Sequence, residues 1–174
     1  GCRPIGESFI VTHAEENIIH ELGGRPFYKV LEEVLSKKAT DRDRTLAQDA
    51  IFIGIAMDEY KEELKTGDFL IRPLIGLDQQ TGAGAISDLI KTGQTIQFHV
   101  RDAISATHEL TDLMNTQDKR HLQDQPQGAL VFSCNGRGKN LFGVNDHDLG
   151  IIRDHVGNIP VTGFFCAGEI WPVG

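Results

Sequence analysis

Two apolar runs flanking the polar turn Ala14–Asn17 open the chain (ESFIVTHAEENIIHEL, residues 7–22), and this pattern predicts a β-hairpin. The period then changes. Across residues 23–38, Phe27, Val30, Leu31, Val34 and Leu35 recur on one helical face, with Pro26 suited to a first turn. Residues 39–49 (ATDRDRTLAQD) are polar and charged and read as a mobile connector with at most one helical turn. The apolar run AIFIGIAMD (50–58) predicts a strand covered on both faces. GDFLIRPLIGLD (67–78) predicts another, in which Pro73 favours an edge or a bulge. QQTGAGAI turns the chain, and residues 85–102 read as a hairpin about Lys91–Gly93, with His99 and Arg101 on its exposed side. Asp102 stands where a helix N-cap belongs, before a helix that would carry Ala106, Leu110, Leu113 and Met114 inward.

From Gly128 onward the pattern is strand, loop, helix, strand. GALVFSC (128–134) and IPVTGFFC (159–166) are apolar and β-prone, and between them Asn145 or Asp146 could cap a helix bearing Leu149, Ile152 and Val156. Two buried strands joined by a helix form a parallel crossover. The expected fold class is therefore α/β to α+β: a single domain with a mixed β-sheet, about three helices and a C-terminal parallel βαβ unit. The polar stretch between the last two halves, QDKRHLQDQPQ, reads as a loop.

Composition narrows the partners. At 174 residues the chain can bury a core without a staple. Its formal net charge of −8, from 25 acidic and 17 basic residues, argues against nucleic-acid backbones as a partner. No apolar run reaches the roughly 20 residues of a membrane span. Cys2, Cys134 and Cys166 are far apart and form no CxxC pair, which favours a reducing, cytoplasmic setting. The chain begins Gly-Cys-Arg-Pro and reads as a piece of a longer protein.

The densest chemistry lies in FSCNGRGKNLFGVNDHD (132–148). In a parallel crossover the carboxyl ends of both strands open onto one edge, where ligands tend to sit. The loop after Cys134 and the loop after Cys166 should therefore meet in one crevice. Cys134 with His147 and Asp146 invites a Cys–His–Asp nucleophile, or else Cys134 simply closes a buried strand. Cys134, Asp146, His147, Asp148, Cys166 and Glu169 could ligate a metal, but no tight ligand pair is present, so no metal and no cofactor are expected. Asn135-Gly136-Arg137-Gly138-Lys139 could converge N–H groups and cations on an anion, though it lacks P-loop spacing. Glu169 would pair with Arg137 or take a ligand amine.

The stretches GCRPIGESFIVT, ELGGRPFYKVL, GDFLIRPLIGLD, GQTIQFHVRD, GALVFSCNGRG, LFGVNDHD and IPVTGFFCAGEIWPVG, in that order, resemble the C-terminal domain of the FIST family. The resemblance covers residues 1–174 and implies a sensory domain that binds a small ligand such as an amino acid. It would act beside histidine kinases, chemotaxis proteins or cyclic-dinucleotide modules, and with the FIST N-terminal domain of the same parent, expected to be absent here. It implies no catalytic residues. The motif positions are Cys134, Asn135, Gly136, Arg137, Gly138, Phe142, Gly143, Asp146, His147, Gly168 and Glu169. Cys166 and Trp171 stand where the resemblance leads one to expect small residues. In this reading Arg137 takes a ligand carboxylate and Glu169 or Asp146 its ammonium. A Cys-dependent hydrolase or transferase and a pure protein-interaction domain are the competing classes.

Overall fold

The computed structural model describes residues 1–121 and 126–167, the side chains of 117–121 excepted. The chain divides into two compact units, Cys2–Asp102 and Ala103–Gly174, the latter including Gly1.

The first unit is built on seven strands: β1 (Cys2–Glu15), β2 (Ile18–Leu22), β3 (Arg25–Pro26), β4 (Ile51–Ala56), β5 (Phe69–Asp78), β6 (Ala83–Ile86) and β7 (Thr95–Arg101). Their order, β1-β7-β4-β5-β6-β2, returns on itself because β2 also pairs with β1, and every pairing is antiparallel. Six strands therefore close into a barrel, with β3 a short addition to β2. Closure removes the unpaired edges that open sheets must otherwise protect. Two long strands make it possible by changing partners midway. β1 pairs with β7 over Cys2–Ile10 and with β2 over Val11–Glu15. β5 pairs with β4 up to Pro73 and with β6 from Leu74 onward. Pro73, which lacks an N–H, sits at that handover, next to the bulge between Leu74 and Gly76.

The predicted β1–β2 hairpin forms, turning at Glu16 and Asn17. The hairpin predicted for 85–102 does not. β6 joins β5 and β2, while β7 joins β1 and β4, so Lys91–Gly93 is a crossing connection. His99 is also placed differently: it is buried, edge-on to Phe69 at 5.2 Å, with Nδ1 3.0 Å from the Gln97 carbonyl. Gly54 on β4, two residues along from the register partner Phe52, makes room, since a Cβ there would lie 2.4 Å from the ring. Alternation places His99 with the half-exposed Thr95, Gln97 and Arg101, but the Phe69 ring covers it.

Helix α1 (Phe27–Glu33) continues into a π-helical segment, Val34–Lys38, and turns Phe27, Val30, Leu31 and Val34 into the core. Phe27 packs edge-on against Phe98 at 5.5 Å, and Phe9 lies 5.9 Å from the same ring. The stretch expected to be a connector is helix α2 (Asp41–Asp49). A capping box starts it: Asp43 Oδ2 accepts from Thr40 N and Oγ1 at 2.8 Å each, and Thr40 Oγ1 accepts from Asp43 N at 3.2 Å. Asp43 is buried and also pairs with Arg3, while Arg42 pairs with the buried Asp102. These long-range ion pairs, with Leu46 and Ala47 packed on the core, order a segment whose composition alone suggests a loop.

The second unit holds α3 (Ala103–His121), β8 (Ala129–Cys134), α4 (Lys139–Phe142), α5 (His147–Val156) and β9 (Val161–Cys166). β8 and β9 pair in parallel, as predicted. They form a separate two-stranded sheet, so among the described residues the expected mixed sheet is two sheets, and the three expected helices are five α-helices. Ala106 is fully buried on α3, but Leu113, expected inward, is exposed.

Candidate functional site

Cys134 and Cys166 are register partners at the ends of β8 and β9, and Asn135 N donates to the Cys166 carbonyl at 2.8 Å. The loops that follow thus leave the same edge of the parallel pair, as the crossover argument requires. Gly168, Glu169 and Trp171 lie outside the described residues, and so does the pairing of Arg137 with Glu169.

After Cys134 the chain turns tightly, Arg137 N donating to the Cys134 carbonyl at 2.9 Å and Gly136 N donating to the Cys134 sulfur at 3.4 Å. Gly138 has φ 79°, and a Cβ there would press on the Phe165 ring at 3.1 Å, so both conformation and space select glycine. Asp146, with φ 57°, occupies the N-cap of α5 but makes no side-chain cap bond, which leaves its carboxylate exposed.

Arg137 has a partner that sequence reading did not assign to it. Its Nε donates to Asp148 Oδ2 at 2.6 Å and its Nη2 to Asp148 Oδ1 at 2.8 Å, a bidentate fork in which both side chains are mostly buried. Nη2 also reaches the Ala106 carbonyl at 3.4 Å, and the guanidinium lies 5.2 Å from the centre of the Phe142 ring. The hydrogen bonds that Arg137 donates to Asp148 raise its pKa, although burial opposes this. At Asp148 burial disfavours the charge, yet the bonds from Arg137 and His147 outweigh it and hold the carboxyl below its ordinary range.

His147 stacks on Phe142, with ring centres 3.7 Å apart and planes within 6°. Its Nδ1 lies 3.1 Å from Asp148 Oδ1 and its Nε2 3.1 Å from Thr107 Oγ1. Thr107 already donates to the Ala103 carbonyl at 2.8 Å, so toward His147 it accepts. Both ring nitrogens are engaged by Asp148 and Thr107, and the pairing with Cys134 that a Cys–His nucleophile needs is not formed. Thr107 was not legible as a site residue: it lies 40 positions from His147 on another helix.

Two crevices result. The smaller, about 260 Å³, is lined by Cys134, Arg137, Asp148, Glu109 and apolar neighbours including Leu110 and Ile152. The larger, about 790 Å³, sets Lys139, Asn145, Asp146 and His147 against Leu149, Val161 and Phe165. Phe132 borders the smaller crevice and Phe164 the larger, and their rings meet edge-on at 5.1 Å, both exposed, as is Leu130.

A closed antiparallel barrel followed by a parallel β8–β9 crossover defines a mixed α/β protein. The chain belongs to the FIST family: residues 28–172 match its FIST C domain and residues 1–25 its FIST N domain. FIST N sequence is therefore present within β1, β2 and the start of β3, in place of the absence expected above. FIST domains are taken as sensory domains in signal transduction. The chain is 47% identical over 173 residues to an uncharacterized protein of Mycobacterium tuberculosis, covering 99% of this chain and 45% of that protein. An uncharacterized protein of Mycobacterium bovis is 44% identical over 173 residues, covering 99% and 44% respectively. The chain thus spans less than half the length of the curated relatives it matches. No solved structure matches it. Among the described residues, no helix is long and apolar enough to cross a membrane.

Proposed function

We propose that the crossover unit binds a small, amino-acid-like ligand and that the chain is the sensory part of a signalling protein, passing occupancy to modules such as histidine kinases. The observation that carries this reading is the larger crevice, where a cation (Lys139), an uncapped carboxylate (Asp146) and amide and imidazole groups face an apolar wall. Preformed small-ligand sites have this composition. A zwitterion would place its ammonium on Asp146 and its carboxylate on Lys139, against the glycine-rich turn. Arg137 then has a different part from the one its sequence suggests. Held by Asp148, it braces the loop from Cys134 to Gly143 and presents its remaining N–H groups. The proposed ligand-binding set is Cys134 to Gly138, Phe142, Gly143, Asp146 and His147, with Lys139 added.

The test is a thermal-shift screen of this chain against amino acids, dipeptides and nucleotides. A ligand at 100 times its dissociation constant stabilises by about 2.7 kcal/mol. Asp146→Asn and Lys139→Met should each remove the shift while leaving the unliganded midpoint unchanged. No shift with this chain or with a full-length relative would overturn the reading. A shift with the relative alone would show that the site is shared with sequence beyond this chain.

A further inference from the structure

We propose that the outer face of the β1–β2 hairpin is a divalent transition-metal site, with His13, Glu15 and His20 as ligands and zinc as the ion their chemistry suits. This inference is independent of the proposed small-ligand crevice, from which it shares no residue. His13 and Glu15 are two apart on β1 and so point to the same side of the barrel wall. The other side is core, where Ile19 and Leu22 are buried, as is Val11, which a register shift between Val11 and His13 separates from the His13 side. On β2 the register runs Ala14↔Ile19 and then His13↔Glu21, which leaves His20 as the extra residue of a β-bulge. The bulge sets His20 beside His13, and the two rings stack with centres 4.6 Å apart. Bulges commonly re-aim a side chain in this way.

The ligand atoms of the three side chains all lie within 4.8 Å of one another. His13 Nε2 is 3.7 Å from Glu15 Oε1, and His20 Nε2 is 4.0 Å from Glu15 Oε2. Both distances are too long for hydrogen bonds, so the carboxylate sits between two rings without bonding either. His20 Nε2 is itself buried and has no hydrogen-bond partner among the described residues. A buried ring nitrogen left unpaired is costly and calls for a partner. A tetrahedral ion about 2.0–2.1 Å from each ligand atom would hold those atoms about 3.4 Å apart, a small closure from the geometry present. Two imidazoles and a carboxylate, with water in the fourth place, are borderline donors that suit zinc, copper, nickel or ferrous iron and suit calcium or magnesium poorly. Because β1–β2 is the pairing that closes the barrel, the ion would pin that seam.

Calorimetric titration of the tag-free chain with zinc near neutral pH should show one ion bound per chain. His13→Ala and His20→Ala should each weaken binding by about tenfold or more. His108→Ala, which changes an exposed histidine of the other unit, should leave it unchanged. Cobalt should give the visible bands of a four-coordinate ion, lost in His20→Ala. Should a variant fail to fold, the wild-type protein still decides. Zinc should shift the ring resonances of His13 and His20 and spare His108 and His155. Zinc affinity equal in wild type and the His13→Ala, His20→Ala double variant would overturn the assignment, as would shifts confined to other histidines.

Discussion

Removing the charge from Asp148 tests whether the fork with Arg137 braces the candidate site. Asp148→Asn keeps the side chain's size, Arg137→Met keeps much of the stem, and the double variant completes a thermodynamic cycle. The pair makes two charge-assisted hydrogen bonds, at 2.6 and 2.8 Å, with side chains only 20% and 17% exposed. Exposed ion pairs are worth about 0.2–1 kcal/mol, while removing one partner from a fully buried pair costs about 3–5 kcal/mol. This pair lies between those limits, so Asp148→Asn should cost about 2 kcal/mol, with a coupling energy of about 1–2 kcal/mol. Urea unfolding supplies the stabilities. Hydrogen exchange across α5 locates the loss, because the two units need not unfold together. The sign with pH follows from the lowered carboxyl. The fork's contribution is full above the unfolded value near about 3.9 and fades as pH falls through the folded value beneath it. Asp148→Asn should therefore narrow the stability gap to wild type only at acid pH. A coupling energy below about 0.3 kcal/mol, within ordinary additivity, would refute the bracing role.

Two further perturbations address the barrel. Gly84→Ala would put a Cβ 2.4 Å from the fully buried Phe27 ring, which must shift against Phe98. Overpacking of this kind should cost about 1–3 kcal/mol in chemical denaturation, and an unchanged midpoint would show that the core yields there. Asp43→Ala removes the capping box of α2 and one partner of Arg3, which retains Asp102 at 3.5 Å, so a loss of about 2 kcal/mol is expected. Burial raises the Asp43 pKa, but the Thr40 and Arg3 contacts lower it further, so this contribution too should disappear in acid; persistence of the full difference at low pH would count against it.

Local pattern made much of this fold legible. Period-two and helical spacing located β1, β2, α1, β4, β5, β8, α5 and β9, because each carries its apolar residues at the period of its own backbone. The parallel pairing of β8 and β9, with Cys134 and Cys166 in register at their ends, followed from chain order alone. Elements without an apolar signature were misread. α2 is held by a capping box and by ion pairs to Arg3 and Asp102, contacts 40 and 60 residues distant in sequence. At the site, the glycine turn presenting Arg137 was readable, but its partner was not. Asp148 served equally well on paper as a helix-start acid, and Thr107 gave no signal.

By itself the sequence determined the types of the elements with an apolar period, the family, and the cluster of polar residues between Cys134 and Asp148, since these depend on local spacing and motif. Only the tertiary structure decided that the first sheet closes, which strands lie beside β4, β5, β6 and β7, and which charges meet. Closure depends on β1 and β5 changing partners midway, a property of strand pairing that no single segment encodes. The same holds for Arg137, whose charge is committed to Asp148 by a turn and a helix start that only folding brings together.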